Sequence, residues 1–461
     1  MAQIQDLVEE ALRVSTADDC IVVATEHSET NLRWANNNLT TNGQMTSRSV
    51  AVISLIRGDA GTSVGVVARS VTTPEELTAL VAESAAAARA SGPADDVMPL
   101  IEAGEPDAGY GEDPARTSVA IFADFAAALG AAFTKARGSD RLLFGFAEHQ
   151  LSSTFVASST GLRRRYDQPN GRVEINAKSG DFARSAWVGA HTTTFSDIDV
   201  TALTDELHTR LDWAANPVSL PAGRYETILP PTAVADLLID AYWSTSSRDA
   251  EEGRSVFAGP DGATRIGEQL STLPLTLRSD PTAAGIECAP FEVVTSSEAG
   301  TQSVFDNGAP ISAIDWIRDG VLTNLARSRS WGERSGQPAR LMTGNLILDG
   351  GGSATLDEMI ASTKRGLLLT CLWYIREVDP QTLLLTGLTR DGVYLIEDGK
   401  VVGAVNNFRF NESPIDLLGR ISEVGQSVHT LPREWSDYFT RAVMPPVRVP
   451  DFNMSTVSQA S

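Results

Sequence analysis

Histidine is the residue type that most often binds zinc or moves a proton in an enzyme, and this 461-residue chain has five. They are His27, His149, His191, His208 and His429, and no two lie within ten residues of each other. A helical zinc site needs two ligands about one turn apart, so that both side chains reach the same ion. The patterns HExxH, HExxxH and HxxE are all absent from the sequence. The sequence therefore predicts no local zinc site.

A metal site assembled from distant residues is an alternative. Its candidates are His149 beside Glu148, His191 in a threonine-rich segment, and His208 shortly after Glu206. An isolated histidine is more often a structural residue than a ligand. The cysteines predict no nucleophile, because Cys20, Cys288 and Cys371 are far apart and two of them lie in apolar segments, where burial disfavours a thiolate. We expect three reduced, buried thiols.

Composition limits the classes of partner. The formal net charge is -22, and 42% of the residues are hydrophobic. Nucleic-acid binding needs clustered lysine and arginine, so nucleic acid is not an expected partner. The one basic run, Arg163–Arg165, is predicted to be a solvated strand or turn. No stretch resembles a signal peptide or an uninterrupted membrane span, which predicts a cytoplasmic protein without a membrane partner.

The stretch from Lys364 to Pro414 predicts three or four consecutive antiparallel strands. Its apolar run Gly366–Ile375 is interpreted as one buried strand, too short for a membrane span. The pair Asp398-Gly399 lies between two β-like segments and favours the left-handed turn of a hairpin. Further strands are predicted at Tyr225–Leu229, Leu275–Arg278 and Phe291–Thr295 and around Ser255–Phe257, and short strands with glycine turns favour a closed or strongly curved barrel.

The first part of the chain predicts a repeated order of elements. Apolar spacing indicates helices at Ile4–Val14 and Val200–Trp213, and capping signals start two alanine-rich helices at Pro74 and Pro114. Between the helices of each half we predict four strands, which gives two αββββα halves joined by a surface connection at about 98–113. The predicted strands are Cys20–Thr25, Leu32–Leu39, Ser49–Ile56, Thr62–Ala68, Leu142–Glu148, Ser152–Ser158, Gly171–Ala177 and Ala186–Thr193.

These elements predict an α+β protein with two domains. Residues 1–217 form an N-terminal α/β domain with antiparallel sheets and flanking helices, and residues 218–461 form a C-terminal β-rich, barrel-like domain. The boundary is predicted from Asn216-Pro217 and the following Pro221-Ala222-Gly223.

The sequence from Tyr374 to Pro414, YIREVDPQTLLLTGLTRDGVYLIEDGKVVGAVNNFRFNESP, resembles the C-terminal domain of the TldD/PmbA family. That family includes zinc metallopeptidases and their metal-free partner subunits. In its catalytic members, the resemblance implies, a helix carries H-E-x-x-x-H and is followed by S-V-F. Counting back from Ser255–Phe257 places this motif on Leu238, Ile239 and Trp243, which have no metal-binding atoms.

Two further features agree with the metal-free, TldE-like branch. The catalytic subunits have a cysteine ligand near the C-terminus, whereas no cysteine follows Cys371 here. The tail from Pro445 to Ser455, PPVRVPDFNMS, is of the kind found in the metal-free branch. The resemblance is strong from about Arg224 to Ser455 and weaker before it.

The resemblance implies a non-catalytic subunit that has no zinc of its own. It would form a heterodimer with a zinc-bearing TldD-like homologue, which holds the catalytic metal and cuts unfolded peptides. The alternatives are a self-sufficient metal-dependent peptidase with a scattered site, and a homodimeric peptide-binding protein. Trp316, Trp331, Trp373 and Tyr374 are predicted to be core residues or binding aromatics, and edge strands could accept an extended peptide.

Overall fold

In the computed structural model, which describes residues 3–71, 73–298 and 300–459, the first half of the chain forms one antiparallel sheet with helices on one face. The strand order is β3-β2-β1-β4-β5-β6, so the first strand of each half lies at the centre. The elements are α1 (Ile4–Val14), β1 (Asp19–Ala35), β2 (Asn38–Gly58), β3 (Gly61–Arg69), α2 (Pro74–Ala90), α3 (Ala123–Gly138), β4 (Arg141–Ser158), β5 (Arg163–Ser179), β6 (Ser185–Thr192) and α4 (Val200–Trp213).

Each half contains three strands and not the predicted four. The segments Cys20–Thr25 and Leu32–Ala35 are parts of the single strand β1, and the two predicted strands between 142 and 158 merge in the same way into β4. The polar residues between the predicted strands pair in the ladder, and Ser28 and Thr30 are buried. The turn falls at Asn36-Asn37, where both residues have positive φ. The repeated unit is therefore αβββα.

The side chains of β1 alternate between the two faces of the sheet and so pack into two separate apolar clusters. Cys20, Val22 and Ala24 face the helices, while Ile21 and Val23 face Phe291, Phe305 and their neighbours from the second half of the chain. Both faces of this sheet are consequently covered.

The helix predicted from Pro114 begins later, after a turn of 3-10 helix at Val119–Phe122. Within the described residues, the stretch Val119–Gly138 is long and apolar enough to cross a membrane by length and composition. In the fold, Phe122, Phe125 and Leu129 pack against the six-stranded sheet.

The second half of the chain is dominated by short strands. They form a six-stranded sheet, β11-β10-β9-β12-β21-β20, and a ten-stranded sheet, β14-β15-β18-β22-β8-β13-β16-β17-β7, in which β19 also pairs with β22. The elements are β7 (Pro217–Val218), β8 (Gly223–Leu229), α5 (Pro231–Trp243), α6 (Ser247–Glu251), β9 (Thr276–Ser279), β10 (Ile314–Arg318), β11 (Val321–Leu322), α7 (Arg329–Ser335), β12 (Asn345–Asp349), α8 (Leu356–Ser362), β13 (Arg365–Leu369), β14 (Trp373–Asp379), β15 (Leu384–Leu388), β16 (Val393–Glu397), β17 (Lys400–Val405), β18 (Phe408–Glu412), α9 (Pro414–Arg420), β19 (Glu423–Val424), β20 (Val428–Thr430), β21 (Arg441–Met444) and β22 (Val447–Val457).

The fold class is confirmed as α+β, with antiparallel sheets and a half-barrel. The hairpin at Asp398-Gly399 is also confirmed, since both residues have positive φ and Glu397 pairs with Lys400. The boundary placed after residue 217 stays a prediction.

Three predicted strands in this half are wrong. The run Gly366–Ile375 breaks at Thr370, whose N–H donates to the Gly392 carbonyl, so β13 and β14 lie in different parts of the sheet. Phe291–Thr295 makes one isolated bridge, from Phe291 to Pro310, and Ser255–Phe257 is a turn. All three were inferred from apolar runs, which do not distinguish a strand from other buried chain.

Candidate functional site

Helix α5 lies in the main core of the second half. Pro231 occupies its first turn, where a missing N–H leaves no hydrogen bond unmade, and nine of its 13 residues are buried. A helix that is apolar on most sides is stable only when it is surrounded. The strands β8, β9, β12, β18 and β22 all contribute side chains to the cluster around it.

The structure places the three motif positions of α5 in two different environments. Leu238 and Ile239 are 2% and 0% exposed and belong to the apolar core. Trp243 is 40% exposed and packs edge-on against Trp435, with ring centroids 5.1 Å apart, and more distantly against Phe439. Since none of the three side chains offers a metal ligand, zinc does not fit this helix.

The distant histidines do not form a metal site. Across residues 3–71, 73–298 and 300–459, no group of three or more His, Cys, Asp or Glu side chains could hold a metal ion. His149 is buried, with Nδ1 2.7 Å from Thr117 Oγ1 and Nε2 2.9 Å from the Thr193 carbonyl. His208 lies on α4, where burial lowers its pKa. Glu148, Glu206 and the candidate histidines therefore occupy separate sites.

The cysteines behave as structural residues. Cys20, Cys288 and Cys371 are free and buried, which confirms the prediction for these three. Burial raises the pKa of Cys371 to about 11, so its thiol stays protonated at neutral pH.

The chain contains one serine pattern that is found in hydrolases. Gly61–Gly65 reads G-T-S-V-G and so fits the G-x-S-x-G pattern of serine hydrolases. That chemistry needs a sharp strand-to-helix turn, whereas these residues lie in the antiparallel strand β3. Ser63 Oγ donates to the Ser91 carbonyl at 3.1 Å, and no histidine among the described residues makes a hydrogen bond to it. The pattern is a coincidence of β-hairpin composition.

A cavity of about 470 Å³ opens at the C-terminal end of α5. Tyr242 and Trp243 form one side of it, and residues of 288–293 and 342–344 form the others. Tyr242 is held in place because its hydroxyl donates to the Thr343 carbonyl at 3.0 Å and accepts from the Thr343 N–H at 2.8 Å. Sequence spacing could not have revealed this cavity, since its walls come from segments far apart in the chain.

Glu292 is the most perturbed acid in this cavity. Burial, and then the charge of Asp306, raise its pKa to about 8. Gln302 Nε2 donates to its Oε1 at 3.3 Å, while Asp306 is held by Arg329 at 2.8 Å. At neutral pH the Glu292 carboxyl is therefore mostly protonated and can donate a hydrogen bond to a carbonyl in the cavity.

A second group of acids lies along another side of α5. Asp236 is fully buried, and burial raises its pKa well above the usual range. Its Oδ1 accepts from the Glu434 N–H at 2.9 Å, while Oδ2 has no hydrogen-bond partner among the described residues. Burial, followed by the charges of Glu377 and Glu434, raises the pKa of Asp240 to about 7. These carboxyls make the stability of the helix depend on pH.

We expect Asp240→Asn to stabilise the folded chain at pH 8 and to leave its stability near pH 4 unchanged. The folded-state pKa of about 7 lies above the ordinary 3.8. The folded chain thus binds this proton more tightly, and the wild type loses stability as pH rises from about 4 to about 7. Asparagine has no charge to bury, so the gain at pH 8 should be about 2 kcal/mol.

Urea unfolding at pH 4, 6 and 8 measures this difference. Asp59→Asn, in the exposed turn between β2 and β3, is the control and should behave like the wild type at each pH. Equal stability of the wild type and Asp240→Asn at pH 8 would contradict the assignment.

The comparisons with known proteins agree on one family. A family model described as the PmbA/TldA metallopeptidase C-terminal domain matches residues 222–456. The structure of TldE from Thermococcus kodakarensis is similar with a TM-score of 0.78 and 16% identity, over 98% of this chain and 99% of that chain. No curated protein matches the sequence.

Two further solved structures, both described as candidate modulators of DNA gyrase, have the same fold. The protein from Thermotoga maritima MSB8 has a TM-score of 0.75 and 16% identity, over 97% of this chain and 99% of that chain. The protein from Bacteroides thetaiotaomicron VPI-5482 has a TM-score of 0.75 and 14% identity, over 98% of both chains. At these identities the structures establish the fold, and the family model, which covers half of the chain, establishes the family. The chain belongs to the TldD/PmbA family of metallopeptidase-like proteins.

Proposed function

We propose that this chain is the non-catalytic, zinc-free subunit of a TldD/PmbA-type metallopeptidase complex. The observation that carries the proposal is the state of helix α5, where Leu238 and Ile239 fill the core and Trp243 lies at the cavity rim. A zinc-bearing homologue would supply the metal, and the complex would cut unfolded peptides. The proposal includes a cytoplasmic location, and neither nucleic acid nor membrane as a partner.

A partner surface is available next to α5. Its exposed members are Trp243, Tyr374, Val378 and Tyr438, of which Tyr438 is 80% exposed. Trp243 and Tyr438 are connected through one segment, since the Tyr438 N–H donates to the Trp435 carbonyl and Trp435 packs on Trp243. Strand β14, which carries Tyr374 and Val378, adjoins that segment, because the Ile375 N–H donates to Glu434 Oε1 at 3.0 Å. We call these four residues the aromatic surface. Exposed apolar patches of this kind are typical of protein interfaces, where aromatic side chains contribute much of the binding energy.

The self-sufficient peptidase is the weaker alternative. It would need at least three ligands within reach of one ion, and no such group occurs among the described residues. The homodimeric peptide-binding protein differs from our proposal in its partner. Purification together with a zinc-bearing relative distinguishes the two.

We expect the chain purified alone, without a tag or chelator, to contain close to no zinc. Co-expressed with a zinc-bearing relative, it should form a stable complex with about one zinc per heterodimer, and only the complex should cleave an unfolded peptide. Atomic absorption and size-exclusion chromatography measure both quantities. One zinc per chain in the protein purified alone would overturn the proposal, and so would the failure of every zinc-bearing relative to bind.

Paired variants locate the interface. Tyr438→Arg should weaken the complex by about tenfold or more, because it places a charge in the aromatic surface. Met45→Arg changes another exposed apolar residue, which lies on β2 and is 54% exposed, and should leave the complex intact.

A further inference from the structure

Arg441, the first residue of β21, is held by neutral groups alone. Its Nε donates to the Gly344 carbonyl at 3.2 Å, and its Nη1 donates to Asn170 Oδ1 at 3.1 Å. Among the described residues, no carboxylate lies within ion-pairing distance of its guanidinium. The chain has 59 acidic and 37 basic residues, so an arginine without an acid is not explained by a shortage of acids.

The charge of Arg441 is not neutralised by its other neighbours. Cys288 and Tyr166 are the groups whose ionised forms would stabilise it. Burial raises the pKa of both groups, for Tyr166 to about 12, so neither is an anion at neutral pH. The positive charge of Arg441 also acts on His191. Burial, followed by the charges of Arg441 and His429, lowers the pKa of His191 to about 3. Arg441 therefore has no carboxylate within ion-pairing distance among the described residues, although the carboxyls of Glu292 and Glu298 line the same cavity.

This guanidinium lines the cavity at the end of α5. The cavity volume of about 470 Å³ is within the range of small-ligand sites, about 300–1,000 Å³. Its walls combine apolar side chains, such as Ile311 and Met342, with the amide side chains of Gln168 and Gln302. An uncompensated partly buried charge is unfavourable, and a bound anion would remove that penalty.

We propose that this cavity binds the C-terminal carboxylate of a short peptide, with Arg441 as the counter-ion. A carboxylate matches the planar fork of a guanidinium, and the apolar wall accommodates the last side chain. Gln168 and Gln302 line the same cavity, where their Nε2 groups already donate to backbone carbonyls and to Glu292 Oε1. The inference rests on the proposed function in one respect, namely that the ligand is a peptide. It assigns to this chain a subsite that recognises the C-terminus of a peptide.

Calorimetric titration of the full chain, without any partner subunit, tests the proposal. The ligands are an N-acetylated apolar tripeptide with a free C-terminal carboxylate, the same tripeptide as its C-terminal amide, and inorganic phosphate. The free acid should bind about tenfold or more tightly than the amide, since a hydrogen bond to a charged group is lost in the amide. Phosphate should bind more weakly than the peptide acid, because it leaves the apolar wall empty.

Arg441→Gln should weaken binding of the peptide acid by about tenfold or more and should leave the amide unaffected. Arg340→Gln is the matched control, because Arg340 also donates to an asparagine, Asn324, and to a backbone carbonyl, but lies outside the cavity. Circular dichroism checks that both variants fold, and if Arg441→Gln does not fold, the comparison of acid with amide decides.

Equal binding of acid and amide, unchanged binding by Arg441→Gln, or no binding at all would overturn the inference. Phosphate binding as tight as that of the peptide acid would assign the site to small anions and would also overturn it. These outcomes are independent of the heterodimer. If no zinc-bearing partner binds but the acid still does, the proposed function fails while the carboxylate site stands.

Discussion

Replacing Arg448 by methionine is expected to lower the free energy of unfolding by about 3 kcal/mol. This partly buried arginine on β22 ties three other elements together. Its Nε donates to Glu423 Oε2 at 2.7 Å, and Nη1 donates to Thr363 Oγ1 at 2.6 Å and to Glu226 Oε1 at 3.1 Å. Its Nη2 reaches the carbonyl of Met359 at 3.1 Å, at the end of α8. Methionine keeps the apolar stem but removes all of these donors, while the Met359 carbonyl keeps the bond from Thr363 Oγ1 at 2.8 Å.

The control is Arg365→Met in strand β13, which lies in the same sheet and is separated from β22 by β8. Arg365 is exposed, and its ion pair with Glu397 spans 3.6 Å between two solvated side chains. Such pairs contribute about 0–1 kcal/mol, so this variant should unfold close to the wild type. Denaturant unfolding followed by circular dichroism compares the two. If both variants shift the midpoint equally, the bonds of Arg448 do not hold β22 against α8.

Elements with local signals were predictable from the sequence. Helix α2 begins as expected because Thr73 Oγ1 accepts from the Glu76 N–H and Glu76 accepts from the Thr73 N–H in return. The start of α1 and both ends of α4 follow from apolar spacing, and the β16–β17 turn follows from Asp398-Gly399. In each case the deciding contacts lie within a few residues along the chain.

Strands with polar interiors were not predictable in this way. Glu26 in β1 is almost fully buried, and its charge is balanced by Arg48 at 2.5 Å and Arg116 at 2.9 Å. Because these partners are 22 and 90 residues away, the polar middle of β1 looks like a loop when the sequence is read locally. The predicted extra strands in both halves have this one cause.

The candidate site was likewise predictable only where its residues are close together in the sequence. The motif positions on α5 could be found by counting from Ser255–Phe257, because that alignment uses nearby residues. The cavity could not, since Gln168, Glu292 and Arg441 meet only after β5, the 288–293 segment and β21 have folded together. Apolar spacing in the sequence does place five residues on one face of α5, all of them buried, namely Val234, Leu237, Leu238, Ala241 and Tyr242. It could not show that the helix is oriented so that Ile239, which is off that face, is buried as well.

That orientation leads to the largest effect that we expect. Ile239→Glu should lower the free energy of unfolding by at least about 4 kcal/mol at pH 8, because it removes a core side chain and buries a carboxyl in its place. Burial would raise the folded-state pKa of the introduced carboxyl above its unfolded value. The loss should therefore be smaller at pH 4, where the group is mostly protonated in both states, and should grow as pH rises. Thermal unfolding at the two pH values measures both effects.

Trp243→His is the matched change at the exposed end of the same motif. Its side chain is 40% exposed and packs on Trp435, so its loss should reduce stability by about 1 kcal/mol, with little dependence on pH above 7.

A tolerated Ile239→Glu would mean that this position opens to the cavity, and the helix would then be a metal site that lacks only its ligands. A severe loss at Ile239 together with a mild one at Trp243 would mean that the core has closed over the position that corresponds to the motif glutamate of catalytic relatives. In that case, restoring the motif residues would not be enough to restore a zinc site, because α5 would also have to turn or its neighbours repack.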